Sequence, residues 1–99
     1  MRLQPHEVSA IKDCAHAHFG AQAIVRLFGS RVRDDLRGGD IDLHIVAEDA
    51  VRADFAAEVG FKQDLMARIG EQRVDVVLKA PEEPLDSFDR IALATSIVL

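Results

Sequence analysis

Asp40 and Asp42 stand two residues apart in the run DIDLHIV, and Asp75 sits between valines in the run RVDVVLK. Residues i and i+2 of a strand point the same way, about 6.6 Å apart along the backbone. Two carboxylates at that spacing can converge on hard divalent cations, and Mg2+ takes one or two carboxylates plus substrate phosphates. If the strand carrying Asp75 lies beside the first, a third carboxylate joins the same face. Three carboxylates so close repel one another unless a cation neutralises them, which makes metal binding the simplest resolution. An Asp-x-Asp taken alone is more often a solvated strand face, and a lone strand Asp an edge charge. The combination weighs against that reading, because these residues lie among aliphatic neighbours in strands, where Asp is disfavoured.

Upstream, Gly29-Ser30 follows an apolar stretch and precedes a polar one. Glycine permits a positive φ or a close backbone approach, and N–H groups at a following helical turn can cradle phosphate. The Ser30 hydroxyl adds a donor. Arg31, Arg33 and Arg37 come next, with Asp34 and Asp35 partly offsetting their charge; guanidinium groups suit phosphate recognition. Gly-Ser by itself reads as a plain turn, and Arg33 and Arg37 read equally well as solvated loop. His44 shares the face of Asp40 and Asp42, where packing is the favoured role over ligation. His6, His16 and His18 fall in the first helical segment, at the surface or partly buried. No zinc spacing or Ser-His-Asp logic is present, and the glycines match neither a Walker loop nor a dinucleotide fingerprint.

The elements that must position these residues follow from periodicity. Pro5 suits a first helical turn; Val8, Ile11, Ala15 and Phe19 recur at helical spacing, and Gly20 is a stop. Residues 23–28 (AIVRLF) read as a short strand, 31–37 as a short helix or loop, and Gly38-Gly39 as a turn. Residues 40–46 alternate, with Ile41, Leu43 and Ile45 on one face. A helix is expected over 49–69, with Val51, Phe55, Val59, Met66 and Ile69 near one stripe, weakened at Gly60 and stopped at Gly70. Residues 73–79 form another strand, Pro81 and Pro84 bracket a linker, and 85–96 forms a closing helix. The fold class is α/β (α+β): a small mixed β-sheet with helices mainly on one face and a polar opposite face.

The 99 residues fit one domain over 1–99. A net charge of −5 argues against stand-alone binding of long nucleic acid, which requires a basic face, but not against a nucleoside triphosphate site. The single cysteine, Cys14, excludes an intrachain disulfide and reads as a small core-facing residue; a cytoplasmic location is expected. No signal peptide and no membrane span is legible. A domain this small buries a modest share of its surface, so a partner subunit or homo-oligomer is a reasonable expectation. Ile97-Val98-Leu99 could serve such an interface, although packing onto the sheet is favoured. The acidic run Glu82, Glu83, Asp86, Asp89 reads as solvated.

The run LFGSRVRDDLRGGDIDLHIV, with VDVVL downstream, resembles the minimal nucleotidyltransferases of the DNA polymerase β superfamily. Their pattern is Gly-Ser, a spacer of about ten residues, Asp-x-Asp, and a later strand with a third acidic residue; Gly29-Ser30, Asp40-Ile41-Asp42 and Asp75 match in order. A glycine that often follows the second arginine is replaced by Asp34. The resemblance implies a nucleotidyltransferase (polymerase β-like) fold and two Mg2+ ions held by Asp40, Asp42 and Asp75, the last also orienting or deprotonating the acceptor hydroxyl. It assigns nucleotide binding to Gly29, Ser30 and Arg31, with ATP as substrate. Small members of this kind are often antitoxins paired with a HEPN-domain RNase toxin, some transferring AMP to a tyrosine of that toxin. The alternatives are a non-catalytic module that neutralises a partner by covering it, and a small-molecule (antibiotic-type) nucleotidyltransferase.

Overall fold

The computed structural model describes residues 1–33, 35 and 39–99; the readings placed on Asp34, Arg37 and Gly38 lie outside the described residues. The elements are α1 (Pro5–Phe19), β1 (Ile24–Phe28), a 3-10 turn (Gly29–Val32), β2 (Ile41–Val46), α2 (Phe55–Ile69), β3 (Val74–Lys79), α3 (Ser87–Ala94) and β4 (Ile97–Val98). The sheet has the order β3-β2-β1-β4. β1 is antiparallel to β2 and to β4, and β2 is parallel to β3. The expected small mixed sheet of an α+β domain is therefore present.

Alternation on β2 decides which face is covered. Ile41, Leu43 and Ile45 are fully buried, as are Leu27 of β1 and Ile11, Ala15 and Phe19 of α1. Phe61 and Leu65 of α2 close the same core. The Phe19 and Phe61 rings meet at 5.2 Å with a 45° tilt, an arrangement that ring quadrupoles favour over face-to-face stacking. Gly60, the weak point in the helical pattern, lies against His18: a Cβ there would stand 2.8 Å from the imidazole. His18 Nε2 also meets Asp64 Oδ2 at 2.6 Å, so the glycine makes room for a link between α1 and α2.

Three expectations are corrected. The helix predicted from residue 49 starts at Phe55, capped by the Asp54 carboxylate, which accepts from Ala57 N–H at 2.7 Å. Before it, Asp49 accepts from Arg52 N–H at 3.0 Å, and this turn competes with helix in the way Asp commonly does. Val51 and Phe55 are 83% and 77% exposed, so the predicted apolar stripe is not the buried one; Phe61 and Leu65, four residues apart, are. The closing helix is shorter than 85–96, because a capping box between Asp86 and Asp89 starts it at Ser87. Ile97–Val98 then leaves the helix and pairs with β1, Leu27 opposite Ile97, and Leu99 N–H donates to Val25 O at 2.9 Å.

α3 lies on the opposite face, where Phe88 meets Phe28 edge-on at 6.0 Å. Next to that contact, the fully buried Asp89 accepts from His44 Nε2 at 3.0 Å and from Lys79 Nζ at 2.9 Å. His44 thus takes the packing role expected for it, and its buried Nδ1 has no partner among the described residues. Burial alone would push the Asp89 carboxyl up; the Asp86 backbone N–H, the Lys79 ammonium and His44 outweigh it and hold the group well below the usual carboxylate range.

Replacing Asp89 with Asn removes the charge that Lys79 and His44 share in a buried setting, and is expected to cost about 3–5 kcal/mol in urea unfolding at pH 7. A carboxyl lowered in the folded state stabilises above its unfolded pKa of about 4 and loses that contribution as pH falls below it. The gap between wild type and Asp89→Asn should therefore narrow between about pH 4 and pH 2; a gap constant with pH would contradict the charge argument.

Candidate active site

Parallel pairing of β2 and β3 places Asp42 directly beside Asp75. Neighbouring strands lie about 4.8 Å apart, so two chain segments remote in sequence present adjacent carboxyls. Asp40 lies one residue ahead of β2, and Ile41 N–H donates to Arg73 O at 3.0 Å, which extends the pairing and sets Asp40 at the mouth. Asp40 and Asp75 are 41% and 51% exposed at their side chains. The three expected carboxylates share one end of the sheet face, where Asp40 and Asp75 stay open to solvent.

The Gly-Ser turn abuts this end. Phe28 pairs with Asp42, and Gly29 follows with φ of +76°. A Cβ on Gly29 would collide with Asp42 Oδ2. Glycine is therefore demanded twice, by the backbone angle and by the carboxylate packed against it. Gly39, with φ of +88°, is related to Ser30 in the same way: a Cβ there would overlap the Ser30 Oγ. The chain entering β2 thus folds over the Ser30 hydroxyl.

Arg31 holds this loop. Its Nε donates to Gly39 O at 3.2 Å, Nη1 to Arg2 O at 2.9 Å and Nη2 to Gln72 Oε1 at 3.4 Å. Arg2 answers from the other side, its Nη2 donating to Ser30 O at 3.0 Å and its Nε to Arg33 O at 2.7 Å. Gln72 passes the chain of bonds on to Glu7 at 2.9 Å. Burial opposes ionisation of Glu7, but the bonds from Gln72 and from Gln4 N–H, with the nearby Arg31, lower its carboxyl overall. The Arg31 guanidinium, expected to meet nucleotide, also supports the turn. Arg33 forks onto Asp35 at 3.1 and 2.7 Å.

Sequence reasoning did not single out Arg2, Glu7, Gln72 or Arg73. Arg73 had a readable signal, since it lies two residues before Asp75 and so shares its strand face. Its Nε stands 3.4 Å from Asp40 Oδ2 and 3.8 Å from Asp75 Oδ2. Arg2 and Gln72 meet partners remote in the sequence and had none.

Burial, first, then the charges of Asp75 and Asp40, pushes the Asp42 carboxyl up, a side-chain hydrogen bond with Asp75 adds to this, and Arg73 opposes it. The site is short of positive charge, and its donors are hard carboxylate oxygens, so it fits a hard divalent cation. Asp40, Asp42 and Asp75 are the residues that would hold one. Among the described residues no three acidic, His or Cys side chains close around a single point, and Arg73 stands between Asp40 and Asp75.

An aspartate pair in register on a mixed sheet, with a Gly-Ser turn against it, is the framework of a polymerase β-like nucleotidyltransferase domain. The family model for the nucleotidyltransferase domain matches residues 8–97, and the chain belongs to that family. Comparison with curated proteins gives no match. Nucleotidyl transfer is the general activity that the family supports. No helix among the described residues is long and apolar enough to cross a membrane.

Two outcomes follow from the site itself. A carboxyl raised in the folded state costs stability as pH rises from the unfolded value near 4 through the folded one. Asp42→Asn should therefore raise the melting temperature at pH 7 in the presence of chelator, and the gain should vanish toward pH 3; a lower melting temperature at pH 7 would refute the repulsion. Gly29→Ala should cost about 2 kcal/mol or more, against about 1 kcal/mol for Gly70→Ala. Gly70 has φ of +85° but open space around it, so equal losses in denaturant melts would mean that the Asp42 carboxyl imposes nothing.

Proposed function

We propose that this chain is a Mg2+-dependent nucleotidyltransferase that moves AMP from ATP to a hydroxyl acceptor, and that the acceptor is a tyrosine of a HEPN-domain partner toxin which the modification silences. The observation that carries the catalytic part is the register of Asp42 with Asp75, against a glycine whose missing Cβ is required by the Asp42 carboxylate. Asp40, Asp42 and Asp75 would hold two Mg2+ ions, which supply charge neutralisation for the triphosphate and for the attacking and leaving oxygens.

The residues of the chain account for the rest. The turn at Gly29 and Ser30 binds the phosphates beyond the one transferred. Asp75, the more exposed of the in-register pair, accepts the proton of the incoming hydroxyl. The acceptor oxygen bonds to the α-phosphorus, the bond from that phosphorus to the bridging oxygen breaks, and pyrophosphate leaves. Arg31, Arg2 and Gln72 hold the turn at a fixed distance from the carboxylates, and placement of this kind supplies much of the rate in phosphoryl transfer. The open setting of Asp40 and Asp75 supports an acceptor carried on another protein, which can approach from outside.

A second reading rests on a different observation. Leu85, Phe88 and Ile91 are 45%, 53% and 74% exposed, an apolar strip on and before α3 suited to covering a partner without chemistry. Calorimetry of ATP with Mg2+ and with chelator, on wild type and on Asp40→Asn/Asp42→Asn, tests the catalytic reading: Mg2+-dependent binding should appear in wild type and vanish in the variant. Mass spectrometry of the co-expressed toxin should then show an AMP adduct on tyrosine. Neutralisation of the toxin by Asp42→Asn without any adduct would hand the function to the covering mode.

A further inference from the structure

The acidic end of the sheet already contains a cation belonging to the chain. Arg73 Nε lies 3.4 Å from Asp40 and 3.8 Å from Asp75, and it is the charge that counteracts the upward push on Asp42. Its side chain is 75% exposed. The contacts are longer than well-formed charge-assisted hydrogen bonds, which run about 2.7–2.9 Å. The guanidinium is therefore held by charge at the rim, on a long side chain that can leave without disturbing the core. Arg31 and Arg33 are different, since each makes direct hydrogen bonds, Arg31 to Gly39, Arg2 and Gln72 and Arg33 to Asp35.

We infer that Arg73 is a tethered counter-ion of the carboxylate face, which a divalent cation must displace from Asp40 and Asp75, and which then turns to the triphosphate that accompanies the cation. The inference rests on the reading that these carboxylates bind a divalent cation. In the resting protein the guanidinium relieves part of the repulsion among Asp40, Asp42 and Asp75 and competes with a metal for the same oxygens. A metal arriving alone strands the guanidinium beside a second positive charge. A metal arriving with a polyphosphate offers it a new anion, and the planar arginine fork matches phosphate oxygens well. Cation and triphosphate therefore bind cooperatively, and by linkage each tightens the other by the same factor. Arg73 is a positioning residue that makes cation entry conditional on substrate.

The test uses Mn2+ as the probe, followed by electron paramagnetic resonance and calorimetry, alone and with a non-hydrolysable ATP analogue. Wild type, Arg73→Gln, Arg73→Lys and Asp42→Asn are compared. Losing two exposed pairings should tighten Mn2+ alone by about two- to tenfold in Arg73→Gln, and should lower by a similar factor the tightening that Mn2+ and analogue give each other. Arg73→Lys, which keeps the charge, should stay near wild type for Mn2+ alone. Unchanged or weaker Mn2+ binding in Arg73→Gln, with binding still abolished in Asp42→Asn, would overturn the role of Arg73 and leave the metal site standing. Mn2+ binding absent from wild type even with the analogue, or indifferent to Asp42→Asn, would instead remove the reading on which it rests.

Discussion

Like-charge repulsion between neighbouring carboxylates is the constraint around which this small domain is arranged. Parallel pairing of β2 with β3 sets Asp42 against Asp75, and the buried apolar alternation of β2 leaves that pairing no freedom, since a slip of one residue would turn Ile41, Leu43 and Ile45 outward. The surrounding details answer the same problem. Gly29 gives way to the Asp42 carboxylate, and Arg73 reaches back over Asp40 and Asp75. Arg31 and Arg2 keep the neighbouring turn from relaxing. A protein selected for stability alone would replace these aspartates with neutral residues. Their presence at a cost is the usual mark of a functional site.

The two ends of one sheet face treat charge in opposite ways. Under α3, Asp89 is sealed with Lys79 and His44 so that a buried carboxylate is satisfied from several sides. At the far end the carboxylates are left partly open and poorly compensated. The difference lies in coverage. α3 is short and begins at a capping box whose second member, Asp89, is also the buried anion, so the same side chain starts the helix and ties it to β2 and β3. Asp40 and Asp75 stay exposed, and so accessible to an incoming substrate.

Much of this was legible in the residues. Alternation in 41–46 is clear because that strand carries an apolar face of Ile41, Leu43 and Ile45, 74–79 follows it except at Val77, and the Gly-Ser and Asp-x-Asp spacing located the candidate site before any geometry was known. What could not be read has physical causes. Strand order is a tertiary property, so the approach of Asp75 to Asp42 had to be assumed. Phe55 and Val51 imitate a core stripe, yet Asp49 and Asp54 divert the chain into a turn and a cap. β4 is two residues long, too brief for any periodicity. Arg31 carries the chemistry of a phosphate ligand, and its further part in supporting the turn through Gly39, Arg2 and Gln72 could not be read, because only the folded loop supplies those partners.

The residues outside the main run of helices and strands also have a bearing on how this domain can be handled. Arg2, ahead of α1, clamps the turn at Ser30 and Arg33, and Leu99, after β4, is hydrogen-bonded to Val25. Neither stretch is a trimming that a minimal version could discard. Cutting back the first four residues would free the turn beside the carboxylates, and cutting back the last three would bare the outer edge of β1 as a row of unpaired backbone groups ready to pair with another chain.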